Sequence, residues 1–386
     1  MKKNTTVFAN LLSHFPRSQF ETSVAEYHGD HHVRTLSTYD LLKCLIYGQV
    51  TQAFSVREIE SSMTCHASQL YRCGMQPIKR STLCDALEKR DCRIFEDTFN
   101  ALVAKARQLA GTSGRRFRNP LKIIDASTIE LCLARFDWAK FRAAKGAVKL
   151  HVSLDGDYCF PDQVRLSTGA IHEVNEMGEL SKLTGMIYVM DRGYVDYKRL
   201  YDINLVKSTF VTRMKDNCQH ELVEIFSSSN TESVWLDASI RLTSPGGKEK
   251  YPELLRQIRY HDSIHDRDYE FLTNNFELSA HEVADIYKAR WQVELFFKWI
   301  KQNLKIKTFW GTSRNAVFTQ IWVALITFLL LWIGKMVDAL DASPQRILQV
   351  LKTSILTRTT ILELFSRQAH SDPPDQLQLT LMGIKF

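Results

Sequence analysis

The sequence lacks several features that would assign its class directly. Its eight cysteines form no C-x-x-C pair and no Cys/His set at zinc-binding spacing. We therefore expect a reduced, cytoplasmic protein rather than a disulfide-stabilised secreted one. The first residues include lysines but no apolar core of signal-peptide length and no small-residue cleavage site, so we expect no export.

Long apolar runs are also missing. The most apolar stretch extends from Ile321 to Gly334 and is shorter than the ~20 residues that span a bilayer. We predict a buried core helix at this stretch and no membrane partner. With 45% hydrophobic and 24% charged residues and no internal repeat, the 386-residue chain is typical of a soluble globular protein of two or three domains.

Positive charge is in excess, and it is concentrated in one region. The formal net charge is +7, and residues 1–120 contain 17 Lys and Arg against 11 Asp and Glu. A basic chain favours a polyanionic partner, although many basic proteins bind none. If the partner is nucleic acid, we expect the first third of the chain to make much of the phosphate contact.

Helical periodicity extends over residues 38–109 and stops at a joint rich in Gly, Ser and Arg at 111–120. Ser55 is predicted to cap a short helix. A loop that contains glycine follows this helix, and the next helix begins with the basic residues Lys79 and Arg80. This arrangement resembles a helix-turn-helix. An all-helical bundle with a solvated basic rim explains this pattern equally well.

After the joint the pattern changes to β-strands of a buried sheet, with an Asp-Gly hairpin at Asp155. A helix from His172 to Leu183 is predicted to return the chain to the sheet. Further strands between residues 207 and 276 suggest an inserted β subdomain. Helices are predicted for the rest of the chain, including Asn315–Val337 and Pro344–Leu351.

Two aspartates, Asp125 and Asp191, are predicted to end parallel strands, where α/β sheets usually build their sites. Aspartate is also a common structural residue at strand ends, so each alone is weak support for a site. Asp155 competes with them, but the hairpin places it at the opposite edge of the sheet. Clustered carboxylates require a cation, and their hard oxygen ligands suit Mg²⁺ or Mn²⁺ rather than zinc.

The segment Asp285–Ile306 is predicted to form one helix with an apolar back and a polar front. At about 100° per residue, one arc of roughly 80° contains five side chains: Tyr287, Arg290, Glu294, Lys298 and Lys301. Ordinary i,i+4 ion pairs on a solvated face explain part of this row. The alternative is that Glu294 is a third metal ligand whose cationic neighbours hold phosphates.

Asp125, then Asp191 in Asp-Arg-Gly-Tyr, then Glu294 in Y-x2-R-x3-E-x6-K, resemble the DDE transposases of bacterial insertion sequences. The Y-R-E-K helix is similar to that of the insertion-sequence-four group. The resemblance implies an α/β fold, with an all-helical N-terminal domain before a ribonuclease-H-like catalytic core interrupted by a β subdomain. The expected domains are residues 1–118 (DNA-binding), 119–340 (catalytic, with the insertion at 207–276) and 341–386 (C-terminal helical segment).

The resemblance also implies the chemistry of the site. Asp125, Asp191 and Glu294 would be the catalytic residues and the ligands of Mg²⁺ or Mn²⁺. The remaining predicted site residues are DNA contacts: Tyr287, Arg290, Lys298, Lys301, Trp291, Arg192, Lys79 and Arg80. Trp291 and Trp235 are the candidates for stacking on a flipped base, although core packing is the more common role of tryptophan.

The implied reaction is cut-and-paste transposition by a homodimer that holds both inverted-repeat ends of the element and then the target DNA. The expected location is the bacterial cytoplasm, in association with the nucleoid. Two other functions fit the same residues: a metal-dependent nuclease without strand transfer, and an inactive DNA-binding repressor derived from a transposase. An intact set of three carboxylates argues against the repressor.

Overall fold

The computed structural model describes residues 5–111, 114–142, 145–169, 173–227 and 233–368. The chain forms two compact units. Unit 1 comprises Met1–Gly111, Ile129–Val148 and Phe296–Phe386, and unit 2 comprises Thr112–Thr128 and Lys149–Leu295. This division differs from the predicted boundaries, because it groups the last helices with the first ones. Residues 369–386 of the predicted C-terminal segment lie outside the described residues.

Unit 1 is mostly helical. Its N-terminal helices are α1 (Val7–Leu12), α2 (Arg17–Glu26), α3 (Thr38–Thr51), α4 (Val56–Cys65), α5 (Ala67–Leu70), α6 (Arg80–Lys89) and α7 (Arg93–Ala110). Its C-terminal helices are α13 (Arg314–Val337), α14 (Pro344–Ser354) and α15 (Ile361–Gln368). Several of these helices begin at the residue that the sequence indicates: Ser55, for example, caps α4 by accepting the backbone N–H of Glu58 at 3.2 Å.

Helix α13 is the core of unit 1. Every residue from Ala316 to Gly334 is buried, and the helix packs against α7, α3, α6, α14 and α1. By length and composition it could cross a membrane, but its apolar window is entirely buried inside the protein. The predicted core helix is therefore confirmed, and its burial explains why it is apolar on all sides.

The predicted helix-turn-helix has a longer connection than that motif uses. Helices α4 and α6 pack against each other, but α5 and a short 3-10 turn at Tyr71–Cys73 lie between them. A helix-turn-helix joins its helices by a turn of only three or four residues. The start of α6 is held by Glu60, whose carboxylate accepts the backbone N–H of Arg80 at 2.9 Å.

Unit 2 is built on a mixed sheet. The strands are β1 (Leu121–Leu131), β2 (Lys140–Arg142), β3 (Lys145–Asp155), β4 (Pro161–Thr168), β5 (Ile187–Met190), β6 (Thr209–Arg213), β7 (His220–Ser227), β8 (Val234–Leu242), β9 (Leu255–Asp262) and β10 (Arg267–Thr273). The helices are α8 (Glu173–Leu180), α9 (Tyr197–Leu205), α10 (Pro245–Lys250), α11 (Ala280–Ala289) and α12 (Trp291–Asn303). Residues 129–148 of the strand region and the end of α12 group with unit 1.

The strand order is β2-β3-β1-β5-β6-β10-β9-β8-β7, and β4 also pairs with β3. Strand β5 is parallel to both β1 and β6. The pairs β6 with β10, β10 with β9, β9 with β8 and β8 with β7 are antiparallel. The strands predicted as a separate β subdomain therefore extend the central sheet. Strand β7 is absent from the prediction, because its exposed residues show no clear alternation of apolar and polar side chains.

Asp155 has a structural role at the end of the sheet away from Asp125. The Gly156 N–H donates to the Leu121 carbonyl at the start of β1, as the hairpin argument requires. The Asp155 carboxylate is paired with Lys122 at 2.8 Å, and Asp162 pairs with the same ammonium at 3.0 Å. All three side chains are nearly buried, so each charge depends on the others for compensation.

Replacing Lys122 by methionine should destabilise the protein strongly, because two carboxylates would remain buried together. We expect Lys122→Met to lower the free energy of unfolding by about 3–5 kcal/mol, measured by urea denaturation with tryptophan fluorescence. The matched control is Lys182→Met, which breaks an exposed pair with Glu179 and should leave the free energy of unfolding nearly unchanged. Equal losses in both variants would contradict the role assigned to this cluster.

Candidate active site

The candidate site lies where the parallel pairing of β1, β5 and β6 in unit 2 ends. In the register of β1 and β5, Ile124 pairs with Met190, so the next residues, Asp125 and Asp191, are at the same level. Asp191 directly follows β5, as predicted. Asp125 does not end its strand, because β1 continues to Leu131; what ends after Ile124 is its pairing with β5.

The two aspartates are held in the same way. The carboxylate of Asp125 accepts the backbone N–H of Ala126 at 2.8 Å, and that of Asp191 accepts the backbone N–H of Arg192 at 2.8 Å. In each case the bond fixes the carboxylate to the backbone of the next residue, and the remaining carboxylate lone pairs can accept further bonds. Both side chains are half-buried, which suits groups that must remain charged and accessible.

Helices α11 and α12 carry the other site residues. A complete capping box at Ser279 and Glu282 fixes the start of α11, and buried residues such as Val283 and Ile286 hold its apolar face against the sheet. The predicted single helix is divided at Arg290, which lies between α11 and α12. Helical dihedral angles continue through Arg290, and the Arg290 N–H donates to the Tyr287 carbonyl at 3.0 Å, one residue nearer than in an α-helix.

Tyr287 connects α11 to Asp191. Its hydroxyl donates to the Asp191 carboxylate at 3.3 Å. Its ring packs against Phe271 and Tyr269, at centroid distances of 5.1 and 6.1 Å. Burial raises the pKa of the Tyr287 phenol to about 12, against the opposing effect of the Arg290 cation. The phenol is therefore a neutral hydrogen-bond donor to Asp191 at physiological pH.

Arg290 bridges the other two carboxylates. Its guanidinium donates to Glu294 at 2.6 Å and lies 3.8 Å from the Asp125 carboxylate. The arginine side chain is only 16% exposed. Burial lowers the pKa of the Arg290 guanidinium, but the bond to Glu294 and the nearby negative charges outweigh it and raise the pKa above its ordinary value. Arg290 therefore stays cationic and compensates both carboxylates.

The donors suit a hard divalent cation in kind, because Asp125, Asp191 and Glu294 offer only carboxylate oxygens. Asp125 and Glu294 also converge on one point, since the same guanidinium contacts both. In the conformation of the described residues, no three acidic, His or Cys side chains are grouped closely enough to hold one metal ion. Arg290 fills the position between two of the carboxylates.

Lys298 and Lys301 follow in the later part of α12, which belongs to unit 1. Lys298 is exposed. Burial and the neighbouring charge of Lys307 lower the pKa of Lys301. The predicted row of five side chains is thus divided between the two units, with Tyr287, Arg290 and Glu294 in unit 2.

The remaining predicted contacts of unit 2 are on its surface. Arg192 is exposed and pairs with Asp216 at 3.2 Å. Trp291 is 57% exposed and Trp235 is 54% exposed, so the expectation of core packing is wrong for both. Trp235 stacks on His261 with ring centroids 5.2 Å apart and an interplanar angle of 12°.

Lys79 and Arg80 are in unit 1 and are not brought into this site by any described contact. Both side chains are exposed at the start of α6. The exposed residues Tyr71 and Arg72 precede them on the connection after α5. In contrast to Lys89, which pairs with Asp85 later in α6, neither has an ion-pair partner among the described residues.

One charged residue at the strand ends is missing from the prediction. Arg213 is the last residue of β6, and the β5–β6 register, in which Val189 pairs with Val211, places it level with Asp191. The sequence contains a weak signal for it, since STFVTRMK has a strand pattern that ends in a cationic residue. Its proximity to the aspartates depends on strand order, which the pattern does not give.

Comparison with known proteins identifies the family of the chain. Residues 116–330, more than half of the chain, match the sequence family described as the transposase DDE domain. Residues 3–76 match a second family, described as a domain of unknown function, DUF4372. The first match includes Asp125, Asp191 and Glu294, and the second includes α1 to α5.

Individual proteins similar to this chain are described as transposases. A probable transposase for insertion sequence element IS5377 of Geobacillus stearothermophilus is 34% identical over 218 residues, which is 56% of this chain and 57% of that relative. The putative transposase y4zB of Sinorhizobium fredii is 34% identical over 65% of this chain and 70% of its own length. A putative transposase for element IS4SA of Synechocystis is 25% identical over 71% of this chain and 77% of its own. The chain belongs to the transposase DDE domain family.

Proposed function

We propose that this protein is a transposase that cuts DNA at the ends of an insertion element and joins those ends to target DNA. The observation that carries the proposal is that Arg290 contacts both Asp125 and Glu294, while Tyr287, on the same stretch of helix, holds Asp191, which is level with Asp125. Family membership and relatives described as transposases support it. The matched segment is little more than half of the first relative's length, so the activity of the whole protein remains part of the proposal.

Members of the DDE transposase family generally use divalent metal ions, and we propose Mg²⁺ or Mn²⁺ here. Asp125, Asp191 and Glu294 would hold the ions. Bound in this site, they would polarise the scissile phosphate and lower the pKa of the attacking water or hydroxyl. Carboxylate oxygens are the ligands that these cations prefer, which supports the assignment.

The chain's own residues would orient the DNA. Tyr287 holds Asp191 by a hydrogen bond. Arg290 would release the carboxylates and hold a phosphate of the strand end, because a guanidinium binds either partner by paired N–H bonds. The exposed Arg192, Trp291 and Lys298, together with the half-buried Lys301, would contact the flanking DNA.

The larger assembly follows the same proposal. We infer a ribonuclease-H-like core of the insertion-sequence-four group, and a homodimer that holds both inverted-repeat ends of the element. The protein would act in the bacterial cytoplasm, in association with the nucleoid. A nuclease of the same fold would cut these ends without joining them, so a strand-transfer assay with pre-cut ends distinguishes the two functions.

Removing any one of the three carboxylates should abolish cleavage. We expect Asp125→Ala, Asp191→Ala and Glu294→Ala each to slow Mg²⁺-dependent nicking of a duplex with the element's end by at least about a thousandfold. Binding of the same duplex should persist, since fewer negative charges then face the phosphates. Single-turnover nicking and fluorescence anisotropy measure the two effects.

The matched control for these variants is Asp285→Ala. Asp285 is an exposed carboxylate on α11 and pairs with Arg116 at 3.5 Å, so its loss should leave nicking nearly unchanged. Asp155 is unsuitable as a control, because its buried pair with Lys122 makes the fold depend on it. Full activity of Glu294→Ala would show that a different carboxylate completes the site.

Lys79 and Arg80 are proposed to hold DNA phosphates. In the full-length protein, Lys79→Ala with Arg80→Ala should weaken DNA binding and reduce the slope of log affinity against log salt by about two. The full chain is required, because α13 forms the core that the N-terminal helices pack on. The control pair Lys89→Ala and Arg93→Ala removes cations already paired with Asp85 and Asp91. An unchanged salt slope in the first pair would remove α6 from the interface.

Arg290 is proposed to release the carboxylates of Asp125 and Glu294 and to bind a DNA phosphate instead. Arg290→Gln should tighten divalent-ion binding to the DNA-free protein by on the order of tenfold, since a competing cation is removed. The same change should weaken binding of the element's end by about tenfold. Calorimetry and anisotropy measure these effects, with Lys288→Gln as control for the loss of an exposed cation on the same helix. Loss of metal binding with normal DNA binding would reverse the roles.

A further inference from the structure

Arg213 occupies a distinctive place beside the carboxylates. Asp125 and Asp191 come one residue after the pair Ile124–Met190 of β1 and β5, and Asp191 and Arg213 come two residues after the pair Val189–Val211 of β5 and β6, so all three are at nearly one level. Residues that pair in register point to the same face of a sheet. Arg213 therefore extends from the face that carries the two aspartates, at the end of the third parallel strand.

The surroundings of Arg213 fix it on that face. It pairs in register with Phe271 of β10, and its guanidinium lies 5.7 Å from the ring centre of Tyr269. Tyr269 and Phe271 stack on each other at 5.6 Å and both contact Tyr287. The positive charge of Arg213 acts on the Tyr287 phenol, lowering its pKa against the larger effect of burial. Arg213 is thus within electrostatic range of the residue that binds Asp191.

No carboxylate pairs with Arg213 in the part of the chain that the structure describes. Other arginines near it differ: Arg192 pairs with Asp216, and Arg290 pairs with Glu294 and Asp125. A half-buried guanidinium without a counter-charge costs free energy unless an anion binds it. A ring contact supplies only part of this compensation.

We propose that Arg213 binds a backbone phosphate of the DNA strand that is cut, next to the scissile bond. The assignment rests on the proposed function, which supplies a polyanionic substrate at the level of Asp125 and Asp191. Guanidinium groups bind phosphate by two parallel N–H bonds, which fixes both position and orientation. The contact positions the strand, and the carboxylates perform the chemistry.

The test uses the full-length protein and a duplex with the terminal inverted repeat that flanks the gene. In a series of duplexes, one phosphate near the cut at a time is replaced by a neutral methylphosphonate. On the native duplex, Arg213→Ala should slow single-turnover Mg²⁺-dependent cleavage by about 10- to 100-fold. One duplex of the series has the methylphosphonate in place of the phosphate that Arg213 contacts. On that duplex, wild type and Arg213→Ala should cleave at equal rates.

Two further variants separate a phosphate contact from a structural effect. Arg213→Lys keeps the charge but not the paired donors, and should recover part of the rate. Arg241→Ala removes an exposed arginine of β8, which lies 4.0 Å from Glu221, and should cleave like wild type. Thermal unfolding of every variant confirms that the fold is retained. If Arg213→Ala unfolds, Arg213→Lys and Arg213→Gln carry the comparison.

A loss of the same factor on every duplex of the series, or no loss on the native one, would overturn the assignment. Failure of the proposed function is seen separately, as wild-type protein that does not cleave or as cleavage that persists in Asp125→Ala. In that case anisotropy titrations of the same duplexes without divalent metal decide the inference. Arg213→Ala must then weaken binding of every duplex except the one whose methylphosphonate replaces the phosphate that Arg213 contacts. Equal affinities of wild type and variant for the native duplex would refute the contact.

Discussion

The parallel register of β1, β5 and β6 is the constraint on which the candidate site depends. Backbone hydrogen bonds fix which residues of neighbouring strands are level, and here they align Asp125, Asp191 and Arg213. A shift of one residue in either pairing would turn one of these side chains to the other face of the sheet. The buried apolar residues before them, such as Ile123, Val189 and Val211, hold the register because they must stay in the core.

The carboxylates at this sheet edge differ in how their negative charge is compensated. Arg290 neutralises Asp125 and Glu294 by direct ion pairs, and Tyr287 supports Asp191 by a single neutral hydrogen bond. The opposite end of the same sheet has the contrasting arrangement, since Lys122 is enclosed with two buried aspartates. One charge cluster is accessible and can exchange partners, whereas the other is enclosed and serves stability.

The positions of the candidate carboxylates on their strands and helix could be predicted from the sequence, because these elements have local signals. Asp125 and Asp191 follow apolar strand patterns, and Glu294 belongs to a helix whose polar front is evident from periodicity alone. Arg213 could not be placed, because strand order is a property of the tertiary fold. The apolar stretch of α13 predicted burial, but a helix that is apolar on all sides does not indicate which helices surround it. For the same reason the sequence did not indicate that the first and last helices share a core.

That shared core has a consequence for synthesis of the chain. The N-terminal helices pack on α13, so their core is incomplete until the ribosome has released residues near Val337. Contacts between segments so distant in sequence also slow folding, because a long loop must close before they form. A message truncated within the catalytic region would therefore yield a chain whose first helices lack their principal packing partner. Such a product would leave exposed the apolar side chains that α13 covers in the full-length protein.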